Sequence, residues 1–440
     1  MFSSFTLLFM AALLSLALHR TMWLKPFAVG ATLIALLLTY SGSSIGLSGF
    51  ENSEAVRLFT MILEIVLVAL ILHEEEDMTI TQTLFIGTAS IALLQSHTLL
   101  TFIIAFEAVS IISFVLVSHI KTSAQAEGAV KMFIAGSIAT GILLLGAALY
   151  LIGGGKLGAP IVLESTTLST MGLFVMLLGL FYKLTIVPMH GWAADTYALV
   201  RHSHAAILTG VAKTVVAVSM FHLFAPFLAE HLTMTVPMMA VLAVVTMTMG
   251  NFLALFQKRI ARILAYSSIA HAGYMLLAFA AVKSGYASTG LLYMAIAYIF
   301  MQSAVFLLLD ILRKKYNIQT LDDIKGLAKQ HKGLALFFTV QLFSLAGIPL
   351  LAGFLGKAVV FYAVVDAGLW YITLIALLNS ALSVGYYAWI VKHLYFDALE
   401  GKKLQVGSSK VQMISQTILL AGTIFFGIFA SWVFVAGNSF

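Results

Sequence analysis

Apolar runs of about 20 residues recur along the whole chain, and this pattern constrains the fold more than any other feature. A run of that length is enough for a helix to cross the hydrocarbon core of a bilayer. Only 10% of the residues are charged and 61% are hydrophobic, whereas soluble domains carry about 25% charged residues. The sequence therefore predicts an all-α, polytopic membrane protein.

The runs predict about fourteen transmembrane helices, two of them broken. Pro188 breaks the seventh run near residues 187–192, and Pro349 breaks the twelfth near residues 346–353. Unpaired backbone at membrane depth needs protein or water around it, so both breaks should border an interior water path. Paired breaks also suggest inverted repeats. The predicted spans are residues 2–18, 24–41, 56–73, 79–97, 98–118, 128–152, 168–200, 203–226, 235–257, 259–282, 287–312, 331–356, 370–391 and 412–434.

The basic residues predict an orientation. Seventeen of them lie in odd-numbered connections between the runs and three in even-numbered connections. The positive-inside rule places the odd connections in the cytoplasm and both termini on the non-cytoplasmic side of a bacterial-type inner membrane. The formal charge of +6 therefore reflects topology, and we expect the lipid bilayer, not nucleic acid, as a partner.

The chain contains no cysteine, which excludes iron–sulfur ligation, thiolate zinc sites and thiol catalysis. We expect no cofactor and no metal in this chain. The glycine-rich segment 153–158 follows a membrane helix and not a strand, and His202 and His204 lack a nearby third ligand in the sequence. Any redox chemistry must belong to partner subunits.

Six charged side chains interrupt the apolar runs. At about 2.5 to 3.5 kcal/mol for each ion near a helix centre, they would together cost on the order of 15 to 21 kcal/mol if isolated. That exceeds the roughly 5 to 15 kcal/mol by which most domains are stable, so these groups must be paired, hydrated or neutral. The six residues are Glu64, Glu107, Lys131, Lys183, Lys213 and Lys357.

A buried lysine suits a proton relay, because burial makes the ammonium group easier to deprotonate and a nearby carboxylate then decides its state. Glu64 and Lys131 lie near helix ends, where a side chain can also reach the interface without a functional role. The predicted relay groups, including one histidine at the first break and one in mid-helix, are Glu107, Lys131, Lys183, Lys213, Lys357, His190 and His271.

Several longer strings are specific enough to indicate a family. They are Gly250–Gln257, Arg262–Tyr274, Leu345–Pro349 with Ala352–Lys357, Leu378–Ser383, and Phe181–Trp192 with Asp195. Through these strings the chain resembles the antiporter-like, proton-translocating membrane subunits of respiratory complex I and its relatives, in particular subunit N of bacterial NADH-quinone oxidoreductases. We assign residues 1–97 to N-terminal transmembrane helices, 98–396 to the antiporter-like core, and 397–440 to a C-terminal loop and the last helix.

The resemblance implies roles for the buried charges. Glu107 and Lys183 would form a charged pair, and Lys213 would lie at the centre of a hydrated path. Lys357 would lie nearest the outer exit, and Lys131 would match a lysine of the sixth helix. The resemblance also implies other membrane and peripheral subunits of a large redox complex as partners. Those subunits would hold flavin and iron–sulfur clusters and drive proton movement through this chain.

Three alternatives remain at this point. The segment Thr196–Ala205 lacks the proline-rich turn usual in the family and is similar to subunits of membrane-bound hydrogenases and formate hydrogenlyases. A multisubunit Na⁺/H⁺ antiporter would use the same scaffold without redox partners. In a third interpretation the chain is a helical scaffold whose buried charges only specify packing.

Overall fold

The computed structural model describes residues 3–42, 45, 49–119, 122–161, 166–397 and 409–437, so most of the predicted C-terminal loop lies outside the described residues. The α-helices are α1 Ser4–Ala17, α2 Leu24–Tyr40, α3 Glu54–His73, α4 Asp77–Gln95, α5 Leu99–Val117, α6 Ser123–Ile152, α7 Thr167–Leu184, α8 Ala193–Leu199, α9 His202–Ala206, α10 Lys213–Glu230, α11 Leu232–Leu255, α12 Ile260–Ala280, α13 Ala287–Tyr316, α14 Leu327–Gln330, α15 Lys332–Ala346, α16 Ala352–Asp366, α17 Trp370–Tyr395, α18 Lys410–Ile428 and α19 Ser431–Gly437.

The prediction of an all-α polytopic membrane protein is confirmed. Within the described ranges, eleven helical segments are long and apolar enough to cross a membrane. Three further apolar helices, α1, α2 and α15, have 14, 17 and 15 residues, so the predicted count of fourteen spans is not confirmed. The predicted end of the twelfth run at residue 356 is wrong, because the apolar sequence continues through Phe361 and α16 ends at Asp366.

Three helices form the centre of the bundle. The most apolar stretch of α13 is entirely buried, and those of α12 and of the segment His202–Glu230 are buried almost completely. The outer helices instead expose large apolar side chains such as Ile104, Leu145 and Leu378. An exterior of this kind suits contact with lipid or with other membrane proteins. Side chains on the central helices are therefore removed from both lipid and bulk water.

The predicted first break is confirmed. Helix α7 ends at Leu184, and Thr185 follows in a left-handed conformation with φ of 61°. The chain resumes as helix only at Ala193. The backbone N–H of Val187 donates to the Thr246 hydroxyl at 3.1 Å, so one of the amides freed by the break is satisfied by a neighbouring helix.

The predicted second break is also confirmed. Helix α15 ends at Ala346, and Gly347 follows with φ of +91° and closes the last turn through its N–H to the carbonyls of Phe343 and Ser344. A Cβ at Gly353 would lie 1.9 Å from the Ser344 carbonyl oxygen, so only glycine lets α16 start this close to the end of α15.

A third irregularity was not predicted from the sequence. A π-helical turn, Ile207–Ala212, connects α9 to α10 within one continuous segment, directly before Lys213. A π-turn accommodates an extra residue in the helix and is frequent at functional positions. No proline or charge marks it in the sequence, and this explains why the apolar run predicted a regular helix there.

Helices α11 and α12 approach each other most closely at two glycines. A Cβ at Gly250 would lie 2.5 Å from the Ala270 backbone nitrogen, and one at Gly273 would lie 2.6 Å from that of Met247. Backbone atoms cannot rotate away as a side chain can, so these two positions fix how near α12 lies to its neighbour.

We expect Gly250→Ala to lower the melting temperature of the detergent-solubilised protein, by the equivalent of about 1 to 3 kcal/mol of overpacking. Gly141→Ala on α6 is the matched control, because nothing lies within 4 Å of a Cβ placed there. Equal melting temperatures for the two variants would contradict the close packing of α11 and α12.

Candidate functional site

The predicted relay lysines lie where helices are irregular. Lys183 is in the last turn before the first break, Lys213 directly follows the π-turn, and Lys357 follows the second break. Each side chain is at most 4% exposed. Where a helix is interrupted, backbone carbonyls lose their helical hydrogen-bond partners. These carbonyls, together with nearby side-chain hydroxyls, can accept hydrogen bonds from a buried ammonium.

Lys183 and Glu107 lie close enough to interact through their charges, but they do not form an ion pair in this structure. The Lys183 ammonium donates to the Ser113 hydroxyl at 3.0 Å. The Glu107 carboxylate instead accepts from the Thr140 hydroxyl of α6, with oxygen–oxygen distances of 3.0 and 3.2 Å. The charged pair implied by the family resemblance therefore stays a prediction, with Thr140 positioned to compete for the carboxylate.

Lys213 is fully buried at the centre of the bundle. Its ammonium donates to the Thr185 hydroxyl at 2.9 Å, to the Ser268 hydroxyl at 2.6 Å and to the Ser268 carbonyl at 3.1 Å. The Tyr197 ring lies 5.6 Å away, within range of a cation–π contact. Thr185 belongs to the first break, so Lys213 is in direct contact with the segment that carries Lys183.

Lys357 is held by the end of helix α15. Its ammonium donates to the carbonyls of Leu345 and Ala346 at 2.9 and 3.0 Å and to the Ser380 hydroxyl at 3.1 Å. The last carbonyls of a helix lack intrahelical partners and carry the negative end of the helix dipole, so they favour a cation. A cavity of about 460 Å³ between α16 and α17 reaches this ammonium.

His271 lies on α12, three residues beyond Ser268. In the sequence, α12 falls between the two breaks. His271 is fully buried, and within electrostatic range of both Lys213 and Lys357. Its Nδ1 lies 2.9 Å from the Ser267 carbonyl, which assigns the proton to Nδ1, and its Nε2 has no hydrogen-bond partner. A buried acceptor without a partner marks a position where water or a mobile proton can bind.

We call Lys183, Lys213, His271 and Lys357 the buried row. Neutral polar groups flank it on α11, α12 and α17. Asn251 donates to the Tyr274 hydroxyl and to Asn379, and Tyr386 donates to Asn251. The hydroxyls of Ser267 and Tyr387 also hydrogen-bond to each other. These groups surround the row with donors and acceptors without adding charge.

Besides Glu107, which lies near Lys183, two further predicted relay residues are outside the buried row. The Lys131 ammonium forms ion pairs of 2.6 Å with both Glu127 and Asp195, and its side chain is 39% exposed. Asp195 also pairs with Arg262 at 2.7 Å. His190 is partly exposed at the first break, and its Nδ1 has no hydrogen-bond partner. A relay role for Lys131 and His190 therefore stays a prediction without a direct contact to the row.

Glu64, the last of the six charged residues found within the apolar runs, lies on α3 away from the row. It is fully buried, and its Oε1 accepts from the Thr39 hydroxyl at 3.0 Å while Oε2 has no hydrogen-bond partner. Both residues belong to the first three helices. The structure therefore separates Glu64 from the lysines with which the sequence grouped it.

A second buried acid, Asp310, and the charged groups around it were not predicted from the sequence. Asp310 contacts His73 Nε2 at 3.2 Å and the Lys314 ammonium at 2.7 Å. A cavity of about 530 Å³ opens beside it. Asp310 lies within the predicted span 287–312, but only three residues before Arg313 and the basic connection, so the sequence does not single it out as a buried acid. The titratable side chains at this end of the bundle form what we call the peripheral cluster. Its members are His73, Glu74, Arg201, His202, His204, Asp310 and Lys314.

Polar side chains continue from the peripheral cluster toward the buried row along α13. The amide of Gln302 and the hydroxyls of Tyr298 and Ser303 are buried, and none has a hydrogen-bond partner among the described residues. Tyr298 packs against His271 with 5.2 Å between the ring centroids. Helical spacing puts Tyr298 and Gln302 on one face of α13. These unpartnered groups are suited to binding water between the cavity and the row.

Glu74 and Arg201 form a second ion pair in the peripheral cluster. Glu74 is 2% exposed and its Oε1 lies 2.8 Å from the Arg201 Nη2. Burial by itself raises the pKa of Glu74, but the charges of Arg201 and Lys314 outweigh it, so the pKa is lowered below the ordinary 4.5. Arg201 also pairs with Glu76. This arrangement joins the α3–α4 connection to the start of α9.

The class of protein follows from this arrangement. It is a polytopic membrane protein with titratable amines and an imidazole inside a helical bundle, hydroxyls and carbonyls around each of these groups, and a polar cavity at one end. Such groups can exchange protons with one another or with intervening water. No described residue set supplies thiolates, and the chain has none, so an iron–sulfur cluster cannot be ligated here in the usual way.

Comparison with known proteins identifies the family. Residues 96–383 match the family described as NADH:quinone oxidoreductase/Mrp antiporter, TM. The F(420)H(2) dehydrogenase subunit N of Methanosarcina mazei is 32% identical over 422 residues, which cover 89% of this chain and 85% of that protein. The NADH-quinone oxidoreductase subunit N of Trichlorobacter lovleyi is 34% identical over 345 residues, 76% of this chain and 71% of that protein.

Solved structures share the fold over nearly the whole chain. A chain of respiratory complex I from Thermus thermophilus with bound aureothin gives a TM-score of 0.83 at 24% identity, covering 97% of each chain. A chain of an archaeal membrane-bound sulfane sulfur reductase gives 0.86 at 19% identity, covering 99% of this chain and 96% of that one. The chain belongs to the NADH:quinone oxidoreductase/Mrp antiporter membrane family, and the resemblance stated from its sequence is confirmed.

We expect Glu74→Gln to lower the melting temperature near pH 7. Breaking a buried ion pair costs about 3 to 5 kcal/mol when the other charge is left alone, and the cost here should be smaller because Arg201 keeps Glu76 as a partner. A carboxyl group whose pKa is lowered on folding stabilises the protein fully above its ordinary pKa of 4.5, and this contribution is lost as the pH falls through the lowered value.

The difference between wild type and Glu74→Gln should therefore shrink as the pH falls below 4.5. Glu75→Gln, at the exposed neighbour, is the control and should melt close to wild type across the same range. A Glu74→Gln deficit that is independent of pH would contradict the assigned role of the carboxylate charge.

Proposed function

We propose that this chain is the proton-translocating membrane subunit of a complex I-like redox assembly, of the type of subunit N of NADH-quinone oxidoreductase. Membership of the family and the similarity to subunit N proteins support this function. The observation that carries it is the buried row, in which the three lysines lie at the two helix breaks and directly after the π-turn. The chain holds no redox cofactor in this proposal, and partner subunits hold flavin and iron–sulfur clusters.

In the proposed mechanism, protons enter from the cavity of the peripheral cluster and reach the row along Gln302 and Tyr298. Water bound to these groups would connect the cavity with Lys213 and His271. The proton then passes from one member of the row to the next. Glu107 controls whether Lys183 is protonated, because the carboxylate favours the ammonium form when it is near and allows proton release when it withdraws. Lys357 releases the proton through the cavity between α16 and α17.

In this mechanism, neutral carbonyl and hydroxyl oxygens hold each lysine amine in both its protonated and its neutral state. Lys213 and Lys357 donate only to neutral oxygens, so loss of a proton leaves no unpaired carboxylate behind. A salt bridge would instead fix the ammonium form, because breaking a buried pair is costly. Ser268, Thr185 and Ser380 can reverse their hydroxyl hydrogens and donate to a neutral amine.

The proposal retains the predicted topology and domains. Cavity-lining residues of the peripheral cluster lie in or next to the α3–α4, α8–α9 and α13–α14 connections, which are odd-numbered in the predicted order of spans. We therefore propose that this end of the bundle faces the cytoplasm, that both termini face the opposite side, and that residues 98–396 form the translocating core. The inverted repeat remains a prediction for the same segment.

We expect Lys213→Met to lower proton uptake by inverted membrane vesicles containing the assembled complex by at least about 10-fold, because an uncharged thioether cannot carry a proton. Lys213→Arg should be equally inactive, since a guanidinium holds the positive charge but does not deprotonate in proteins. Lys283→Met, at an exposed lysine, is the matched control and should pump at the wild-type rate.

Assembly must be checked for each variant by the yield of the intact complex. Wild-type pumping in a normally assembled Lys213→Met complex would exclude the relay and leave the scaffold interpretation. Pumping by Lys213→Arg but not by Lys213→Met would show that the charge is needed and its titration is not.

The main alternative is a subunit of a multisubunit Na⁺/H⁺ antiporter, since the description of the family also includes the Mrp antiporter. We expect the tagged chain, extracted in mild detergent, to co-purify with flavin and with iron that gives an electron paramagnetic resonance signal on reduction. Because this chain lacks cysteine, such iron would belong to partner subunits. Co-purification with membrane subunits alone, together with Na⁺-dependent proton exchange, would favour the antiporter.

A further inference from the structure

A second group of titratable side chains lies at the end of the bundle opposite the peripheral cluster. Glu51 precedes α3, His97 lies between α4 and α5, and His222 lies on α10. One carboxylate oxygen and one nitrogen from each imidazole lie within 4.8 Å of one another. Two imidazoles and a carboxylate form a ligand set that binds transition metals in many proteins.

The backbone fixes two of these three ligands relative to each other. Residues 49–51 and 95–97 run antiparallel, with a bridge between Phe50 and Ser96. The Glu51 N–H donates to the Gln95 carbonyl at 2.7 Å, and the His97 N–H donates to the Gly49 carbonyl at 2.8 Å. The Glu51 and His97 side chains therefore lie side by side on paired strands of backbone, independently of any ligand.

The third ligand comes from the helix that carries Lys213. His222 lies nine residues further along α10, about 13.5 Å along the helix axis at 1.5 Å per residue. Its ring centroid is 6.3 Å from that of His97. Both histidines line a cavity of about 420 Å³, together with Pro160, Pro226 and Val282. The group is thus separate from the buried row, and the cavity leaves room for a water molecule or an anion beside it.

The distances suit closure around a small cation. Ligand atoms at about 2.0 to 2.1 Å from a tetrahedral Zn²⁺ lie roughly 3.3 Å from one another. His97 Nδ1 and Glu51 Oε2 are already 2.9 Å apart, so a metal would replace the proton that they share. The remaining separations of up to 4.8 Å close by rotation of partly exposed side chains. The Glu51 and His97 side chains are 55% and 42% exposed, so the metal needs no path through the bundle.

We propose that Glu51, His97 and His222 form a binding site for a divalent transition metal of the Zn²⁺ class, with a fourth position open to water. Imidazole ligands select zinc, copper, nickel or iron over magnesium and calcium, which prefer six or more oxygens. The sequence gives no sign of this site, because the three residues are separated by 45 and 124 intervening residues and form no spacing motif. A bound metal would join α10 to the connections that precede α3 and α5.

The test uses the full chain carrying a histidine-free affinity tag, stripped with a chelator and titrated with Zn²⁺ in detergent. We expect binding of about one Zn²⁺ per chain, and a rise in melting temperature with Zn²⁺ concentration, because a ligand of the folded state stabilises it. Titration with Co²⁺ should give a visible absorption spectrum of nitrogen and oxygen ligation, without the intense thiolate charge-transfer bands that this cysteine-free chain cannot produce.

Each of His97→Gln, His222→Gln and Glu51→Gln should weaken Zn²⁺ binding by more than the roughly 10- to 100-fold that loss of an outer-shell partner causes. His231→Gln is the matched control, because His231 lies at the same end of α10 outside the group. Unchanged melting temperatures without metal will show that the variants fold.

Two results would overturn the proposal. The first is the absence of stoichiometric Zn²⁺ binding by the wild-type chain. The second is equal Zn²⁺ affinity in wild type and in His97→Gln and His222→Gln, which would assign the binding to other histidines among the twelve in the chain. Both results are independent of proton pumping, so they leave the proposed function untouched.

Discussion

The structure depends on the hydrogen bonds that three buried lysine ammonium groups donate to neutral oxygens. None of the described carboxylates forms an ion pair with Lys183, Lys213 or Lys357, and each ammonium donates instead to hydroxyls or to carbonyls. Such an environment offsets the loss of hydration without binding the charge permanently. The oxygens are available because the helices are interrupted or widened at these points. The irregular backbone and the buried lysines are therefore two parts of one arrangement.

The two ends of the bundle differ in chemistry. One end concentrates ion pairs around Asp310 and Glu74 beside a polar cavity, and several connections are joined there. The other end holds Glu51, His97 and His222, two of them on short paired segments. Between the two ends, α13 supplies buried polar groups without partners, and α12 carries His271. Charge is thus concentrated at the ends, while the centre contains mainly groups that can gain or lose a proton.

Much of this could be predicted from the sequence. Pro188 and Pro349 mark the two breaks, and Lys213 stands out because an ionisable side chain is rare and costly within an apolar run. The contacts could not be predicted, because Ser268 and Ser113 are ordinary hydroxyls 55 and 70 residues away from the lysines they hold. The π-turn has no sequence signal, and Asp310 lies beside a basic connection. The proposed metal ligands come from three distant segments, so only the fold brings them together.

The central claim is that the buried row is connected by water and can pass protons along it. The most direct measurement is a cryo-electron microscopy map of the assembled complex at a resolution that resolves ordered water. The account predicts water between Lys213, His271 and Lys357, with one molecule on the free Nε2 of His271 and others on Gln302 and Tyr298. Apolar side chains packed without water between these groups, in every state of the complex, would contradict it.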